Sequence, residues 1–275
     1  MRINSADWDI HEAELSIADG HIRIDGFGFS NGDQGISING CIDSNGGDSL
    51  RVDMERFGID LLNPLLPDNM QLSGSATGSA QLGSPKASPD LNLDIVCDSA
   101  AIGGVNLGLL TARCHFDKTF KRFDAQINNL YEGQLRLDGH AFYTPSSQML
   151  EADARFNGFN LGIAKPFVGE IFNEIGGELS GSLRYDSTPG RYRIASENLR
   201  LDNGLLSLLF TNVPYTVNGP LEIDTEGAHF KGISLKDREN GTGTLDGSIL
   251  FGGFTRPELD LRATVHNMEC LNVTQ

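Results

Sequence analysis

Histidine and cysteine are the residues of this chain best suited to metal binding or nucleophilic catalysis, so their spacing is considered first. The histidines form no H-x-x-x-H or H-E-x-x-H pair, the spacings that place two imidazoles on one metal ion. The cysteines form no C-x-x-C pair and no zinc spacing. These residues are His11, His21, His115, His140, His229 and His266, and Cys41, Cys97, Cys114 and Cys270. The sequence therefore predicts no metal site.

Other motifs of catalysis and cofactor binding are incomplete. The segments GFGFSNG (26–32) and GTGTLDG (241–247) contain G-x-G but do not complete G-x-G-x-x-G, so they indicate strands and turns. The segment DSNGGD (43–48) lacks the spacing of a calcium loop and is typical of a hairpin turn. No G-x-S-x-G is present. We therefore expect no catalytic residue, no cofactor and no enzymatic activity.

Two cysteines leave an alternative open. Alternation places Cys97 and Cys114 on the apolar faces of neighbouring strands, and a hairpin centred near residues 104–106 would bring those faces together. The cysteine spacing favours small buried thiols, and the sequence allows but does not require a disulfide between Cys97 and Cys114.

The charge of the chain excludes one class of partner. Lys and Arg number 21 against 37 Asp and Glu, a net charge of −16 that repels phosphate backbones, so we expect no nucleic-acid binding. No apolar run reaches the roughly 18 residues that a membrane-spanning helix needs. The N-terminus has no apolar signal core, so any signal or anchor would lie outside this chain.

Alternation of polar and apolar residues with period two predicts β-strands along most of the chain. It is clear in LNLDIVC (91–97), LRLDGHAFY (135–143), LSGSLRY (179–185) and LDLRATV (259–265). Each such strand has one polar face and one apolar face. The predicted fold class is therefore all-β.

Helical signals are confined to two short inserts. The segment PFVGEIFNEI (166–175) starts with proline, is followed by two glycines, and places Phe167, Ile171 and Ile175 on one helical face. We expect a short helix there that docks on the apolar face of the sheet. The shorter NPLLPD (63–68) has Asn63 in the capping position.

A long internal repeat organises these elements. The segments LRVDMERFGIDL (50–61) and LEADARFNGFNL (150–161) share Leu, Asp, Gly and Leu at the same spacing. Each is followed by a helical insert and then by Leu-Ser-Gly, which predicts tandem units of one extended sheet. We predict one continuous β domain, part of a larger protein. Its segments are a preceding β segment (1–35), a first repeat unit (36–134), a second unit (135–242) that contains the insert 166–175, and the start of a third (243–275).

The stretch LSGSATGSAQLGSPKASPDLNLDI (72–95) shows the pattern within one unit. We expect Gly74, Gly78 and Gly83 to allow tight curvature, and Pro85 and Pro89 to end one strand before the next begins.

This stretch, together with GFNLGIAKPFVGEIFNEIGGELSGSLRYD and GTGTLDGSILFGGFTRPELDLRATVHNMECLN, resembles the TamB and AsmA-like family of the Gram-negative cell envelope. TamB is the inner-membrane-anchored subunit of the translocation and assembly module, and the resemblance covers residues 36 to 274. It implies an elongated amphipathic sheet folded lengthwise into an open trough, or β-taco. It also implies a periplasmic location, phospholipid or another acyl-chain lipid as ligand, and a role in lipid transport or outer-membrane protein assembly with an Omp85-type barrel.

Alternation and the resemblance together identify the residues that would line the apolar path. One-sided strands need a partner for their apolar faces, and lipid acyl chains would supply it. The predicted lining residues are Leu91, Leu93, Ile95, Phe116, Ile127, Leu135, Leu137, Tyr143, Phe156, Leu183, Tyr185, Ile249, Phe251, Leu259 and Leu261.

Two other functional classes remain open from the sequence. A surface adhesin or stalk of stacked β-sandwiches would bury the apolar faces against each other and need no ligand. A carbohydrate-active enzyme on a β-helix would need short rungs and a cluster of acidic residues.

Overall fold

Antiparallel strands dominate the structure, as the alternation predicts. A computed structural model describes residues 2–3, 6–18, 21–43, 49–67, 70–83, 91–251 and 258–271. Strands account for 76% of these described residues, and 17 of the strands form one antiparallel sheet that is not closed over these residues. The predicted class, an all-β open sheet, is therefore confirmed.

The strands follow one another in chain order. They are β1 (Arg2–Ile3), β2 (Ala6–Asp7), β3 (Asp9–Ile10), β4 (Glu14–Ala18), β5 (His21–Asn31), β6 (Gln34–Asp43), β7 (Ser49–Gly58), β8 (Leu72–Gly83), β9 (Leu91–Ile102), β10 (Val105–Asp117), β11 (Arg122–Tyr131), β12 (Gln134–Thr144), β13 (Met149–Asn160), β14 (Phe172–Thr188), β15 (Arg191–Leu208), β16 (Pro214–Ile223), β17 (Gly227–Lys236), β18 (Thr242–Leu250) and β19 (Glu258–His266). The small pair β1–β2 is separate from the large sheet.

The chain divides into two compact units. The first unit comprises Met1–Gln134 and His140–Ser146, and the second comprises Leu135–Gly139 and Ser147–Gln275, so β12 contributes to both. The order strand, strand, short helix, strand occurs at β6 to β8 and again at β12 to β14.

Pairing in the first unit separates polar from apolar side chains row by row. Ser37, Asp53, Ser79, Asp94, Arg113 and Gln126 are successive partners across β6 to β11. The next row consists of Ile38, Val52, Ala80, Leu93, Cys114 and Ala125. Because neighbouring residues of a strand point to opposite faces, the sheet of this unit has one polar and one apolar face.

β-Bulges interrupt the pairing in both units without mixing the two faces. The register shifts between Met54 and Phe57 on β7, where Arg56 takes a φ of 45°. A similar shift separates Phe230 from Ile233 on β17. A bulge adds an unpaired residue and increases the local bend and twist of its strand. These bulges therefore curve the sheet of each unit.

Glycine in mid-strand permits a second kind of bend. Gly78 on β8 has a φ of 148°, and a Cβ placed there would lie 2.1 Å from the carbonyl oxygen of Asp94 on β9. Gly74 also has a positive φ, of 135°. Only glycine fits such positions at low cost. Pro85 and Pro89 lie outside the described residues.

The helical inserts differ from their prediction. The α-helix α1 spans only Lys165–Val168, after a 3₁₀ helix at Leu161–Ala164, and β14 begins at Phe172. The predicted helix over 166–175 is therefore wrong beyond Val168, where the α-helix ends. Cross-strand pairing explains the difference, since Phe172 pairs with Leu208 and Ile175 with Leu206. Ten residues make a marginal helix, and sheet pairing outweighs that weak propensity.

The first insert also begins and ends earlier in the chain than predicted. It is a 3₁₀ helix at Ile59–Leu65 with Pro64 inside it. Instead of capping a helix, the Asn63 side chain hydrogen-bonds both backbone groups of Leu72, accepting from its N–H at 2.7 Å and donating to its carbonyl oxygen at 2.9 Å. Among the described helices, none combines the length and apolar character needed to cross a membrane.

The register of the β9–β10 hairpin decides between a Cys97–Cys114 disulfide and separate thiols. Cys97 pairs with Leu110, whereas Cys114 pairs with Leu93, so the two thiols stand several residues apart along the ladder. Cys97, Cys114 and Cys270 are free thiols. Cys97 and Cys114 are half-buried, and burial, which is the main cause, raises the pKa of both thiols.

We expect Gly78→Ala to destabilise the protein far more than Gly32→Ala. Both residues have positive φ, but a methyl group added at Gly32 would have no atom within 4 Å, whereas one added at Gly78 would meet a carbonyl oxygen. Gly32→Ala should cost only the left-handed strain of ~1 kcal/mol. Gly78→Ala adds a steric clash, and we expect a total of ~3 kcal/mol or more. Equal shifts of the two urea-unfolding midpoints would contradict this account.

Candidate functional site

Apolar side chains of the second unit surround a concave space, which we call the second-unit trough. It is a cavity of about 530 Å³ enclosed by β14 to β19 and by the chain that follows β19. The lining residues are Phe172, Leu206, Leu208, Phe210, Thr211, Tyr215, Val217, Phe230, Leu235, Leu245, Ile249, Leu259, Leu261, Ala263, Val265, Met268 and Cys270. The volume lies within the range of small-molecule sites, ~300–1,000 Å³.

Two glycines of β18 lie between lining residues of the neighbouring strands β17 and β19. Gly247 of β18 lies between Phe230 on β17 and Leu261 on β19 in the same row of the sheet. Gly243 stands in the equivalent place further along β18, between Leu235 and Val265. Because these positions carry no side chain, the larger side chains on either side of β18 face an open space.

The floor of the trough is a closely packed cluster. Leu201, Val217, Ile233 and Leu235 are all buried, and Val217 has no exposed surface. Half-buried apolar residues pack around them, and these are Leu161, Leu206, Phe230, Leu245 and Met268. This cluster supplies the dry packing that stabilises the second unit, so the trough above it is supported by a rigid base.

The rim of the trough, in contrast, is in contact with water. Phe210 is 72% exposed and Leu259 is 44% exposed, although both have side chains on the trough lining. A closed sandwich core would bury such residues. Apolar surface that remains wet next to a cavity marks a binding site more often than a structural one.

A short segment crosses one end of the trough. We call residues 267–271 the strap. The Asp237 carboxylate, on a residue only 6% exposed, accepts hydrogen bonds from the N–H groups of Glu239 at 2.9 Å, Gly241 at 2.7 Å and Glu269 at 2.8 Å. One buried carboxylate thus joins the turn after β17 to the strap.

Tyr215 holds the strap from the other side. Its hydroxyl donates to the carbonyl oxygen of Glu269 at 2.8 Å, across 54 residues of sequence. Burial, followed by the nearby Cys270, Glu269 and Asp237, raises the pKa of Tyr215. The hydroxyl therefore stays protonated at neutral pH and keeps donating this hydrogen bond.

The chemistry of the lining is uniform. Of the described residues that line the trough, none is charged, and the polar groups are limited to Thr211, the Tyr215 hydroxyl and the Cys270 thiol. The Tyr215 hydroxyl is already engaged by the strap. The main interaction that the trough can offer a ligand is therefore burial of apolar surface.

The first unit carries a shallower apolar face. Ile95, Ala112 and Ile127 form one row of it, and Leu91 and Leu93 lie on neighbouring rows. Most of these side chains are only half-buried, and Ile127 is exposed.

Aromatic rings extend the same face at its edge. Phe116 pairs with Phe123 at a ring distance of 5.0 Å, and Phe123 stacks on Tyr143 at 6.4 Å. Such pairs add to the burial of apolar area and keep the rings in fixed orientations.

The opposite face of the first unit holds a polar cavity. This cavity, of about 930 Å³, is lined by Arg51, Asp53, Glu55 and Asp94 among others. Arg51 pairs with Asp53 at 2.7 Å and Arg113 with Asp94 at 3.3 Å, and all four side chains are well exposed. Exposed ion pairs of this kind contribute little to stability. Among the described residues, no group of three or more His, Cys, Asp or Glu could hold a metal ion.

The structure places the residues predicted from the sequence in several locations. Ile249, Leu259 and Leu261 line the second-unit trough. Phe251 is half-buried just beyond the end of β18, where its N–H donates to the carbonyl oxygen of Glu226 at 2.9 Å. The remaining predicted residues of the second unit lie on β12 to β14, outside the trough lining, and these are Leu135, Leu137, Phe156, Leu183 and Tyr185.

Sequence reasoning missed most of the trough, since only three of its lining residues were predicted. The run LLSLLF (205–210) supplies three lining residues. Because nearly every residue of this run is apolar, its pattern does not indicate which side chains share a face. Tyr215, Val217 and Phe230 lie on strands with bulges, where a pattern of period two loses its phase. The signal in the sequence that could have indicated these lining residues was the apolar run itself, next to strands with regular alternation.

Comparison with known proteins assigns the chain to no family. No family model, no curated protein and no solved structure matches the chain. The functional assignment therefore depends on the geometry and chemistry of the two apolar faces.

We expect Cys270 to be the fastest-reacting thiol. It is exposed at the trough, whereas Cys97 and Cys114 are half-buried with pKa values raised by burial. Thiolate is the reactive form, so both buried thiols should alkylate at least ~10-fold more slowly at neutral pH. Iodoacetamide labelling followed by mass spectrometry measures the rates. Cys270→Ser should abolish the fast phase, and a fast phase that survives this substitution would contradict the prediction.

Proposed function

We propose that the protein is a non-enzymatic lipid-handling segment that shields or conducts acyl chains along the apolar faces of its sheet. The observation that carries the proposal is the second-unit trough, a cavity of about 530 Å³ with an uncharged lining and a wet apolar rim. An aliphatic chain is the ligand whose chemistry matches such a lining.

Burial of apolar surface supplies the driving force. At about 25 cal/mol per Å², a chain that removes a few hundred Å² of combined apolar surface from water gains several kcal/mol. With Tyr215 already engaged by the strap, the lining offers few polar contacts for a headgroup. Binding should therefore depend on the chain of the lipid and discriminate weakly between headgroups.

The resemblance to the TamB and AsmA-like family supports a cellular setting for this activity. In that setting the chain belongs to a periplasmic protein anchored in the inner membrane by a segment outside this chain. Its apolar path would carry phospholipid between the inner and outer membranes, or assist the assembly of outer-membrane proteins together with an Omp85-type barrel. The net charge of −16 fits this role, since an acidic surface is not attracted to anionic membranes.

The adhesin alternative fits the exposure pattern less well. Stacked sandwiches would bury their apolar faces against each other. In the second unit the trough rim is exposed at Phe210 and Leu259, and in the first unit Ile127 and Leu82 are exposed. The exposure of these side chains favours an apolar face that binds a ligand over one that packs against a second sheet.

A charge placed in the trough tests the proposal. Leu261→Asp puts a carboxylate on the lining, where it faces Gly247 of β18. An acyl chain could then bind only by burying that carboxylate, which should weaken lipid binding at least ~10-fold. Photo-crosslinking to a phospholipid with a diazirine in its acyl chain measures the binding, and circular dichroism checks the fold.

Thr264→Asp is the matched control. It introduces the same charge on the same strand but on the opposite face, where its cross-strand partner is Thr244. We expect the control to crosslink like the wild type. A wild type that never crosslinks, or a control that loses as much crosslinking as Leu261→Asp, would refute the proposed function.

A further inference from the structure

The strap runs along one end of the strands that form the second-unit trough. The strap leaves the edge strand β19, and it is bonded to Asp237 after β17 and to Tyr215 on β16. It therefore reaches from β19 past β18 to the ends of β17 and β16.

Met268 and Cys270 are the strap residues that line the trough, and of these two Met268 is the one that packs on its floor. It lines the cavity and also packs against the buried cluster of Leu201, Val217, Ile233 and Leu235. Methionine is unbranched and adapts its shape to irregular gaps. Its position between the packed cluster and the open cavity makes it the boundary of the space that a ligand can occupy.

The backbone contacts of the strap are too close to allow much sliding. A Cβ on Gly241 would lie 2.3 Å from the carbonyl oxygen of Asn267 and 2.6 Å from the Cα of Met268. The Asp237 carboxylate holds the next residue, Glu269, through its N–H at 2.8 Å. Met268 is thus fixed on both sides by close backbone contacts.

We infer that the strap makes the trough a blind pocket for the terminal methyl end of one aliphatic chain, with Met268 as the residue that sets the accommodated chain length. The inference rests on the proposed function, because it takes an acyl chain as the ligand. It adds a selectivity that an open conduit would lack. Lipids would be distinguished by chain length at this site and not by headgroup.

Chain-length profiles test the inference. The probes are a homologous series of saturated fatty acids that compete with a fluorescent fatty acid for the full chain. Each buried methylene is worth about a fourfold change in Kd, so wild-type affinity should rise by that factor per methylene up to a limiting length and then level off. Met268→Ala should extend the limit by about two methylenes, since it removes most of an unbranched side chain.

Met268→Leu is the control for packing, because leucine has a similar volume and should leave the limit unchanged. A purely structural role of Met268 predicts a different result. In that case Met268→Ala lowers affinity for every chain by the same factor, the limiting length does not move, and the inference is overturned.

The strap itself is tested by Tyr215→Phe combined with Asp237→Asn. The Asn side chain places an amide N–H among three backbone donors, so the strap should loosen and the length limit should disappear. Hydrogen exchange of the Glu269 amide, expected to be protected in the wild type, reports the loosening independently. A loosened strap with an unchanged limit overturns the inference but leaves the proposed function intact. A wild type that binds no fatty acid of any length refutes the proposed function, and the inference falls with it.

Discussion

Both units depend on one constraint, which is that the apolar side chains stay on one face of the sheet even where a strand contains an extra residue. A single extra residue in a strand moves every later side chain to the other face. The chain meets this condition by placing extra residues in left-handed backbone conformations, such as Arg56 on β7 and Gly232 on β17, so that alternation resumes on the correct face. The same bulges bend the strands, and curvature and amphipathicity therefore have one common origin.

The fold class could be predicted from the sequence because its signal is local. Alternation in segments such as LNLDIVC and LDLRATV reports directly which residues share a face, and the observed register places them accordingly. The helix over 166–175 failed for a non-local reason. Residues 172–175 have a helical pattern, but β15 offers them a paired edge that the sequence window does not contain.

The candidate site was predictable only in part. Its regular side, at Ile249, Leu259 and Leu261, follows from alternation, whereas the strap depends on hydrogen bonds across 32 and 54 residues of sequence. Asp237 illustrates the limit. In the sequence it is one acidic residue of a polar turn, and only the fold shows that its carboxylate gathers three backbone N–H groups.

The glycines of β18 have a consequence for how related proteins could diverge. A Cβ on Gly247 would lie 2.0 Å from the carbonyl oxygen of Asp260, and one on Gly243 would lie 2.7 Å from that of Thr264. Natural variation cannot readily fill the space above these residues by substituting them, because the backbone itself forbids it. Adaptation to ligands of another size would have to proceed through the freely mutable side chains of β19 and the segment that follows it. β18 would remain constant while the neighbouring edge strand β19 evolves.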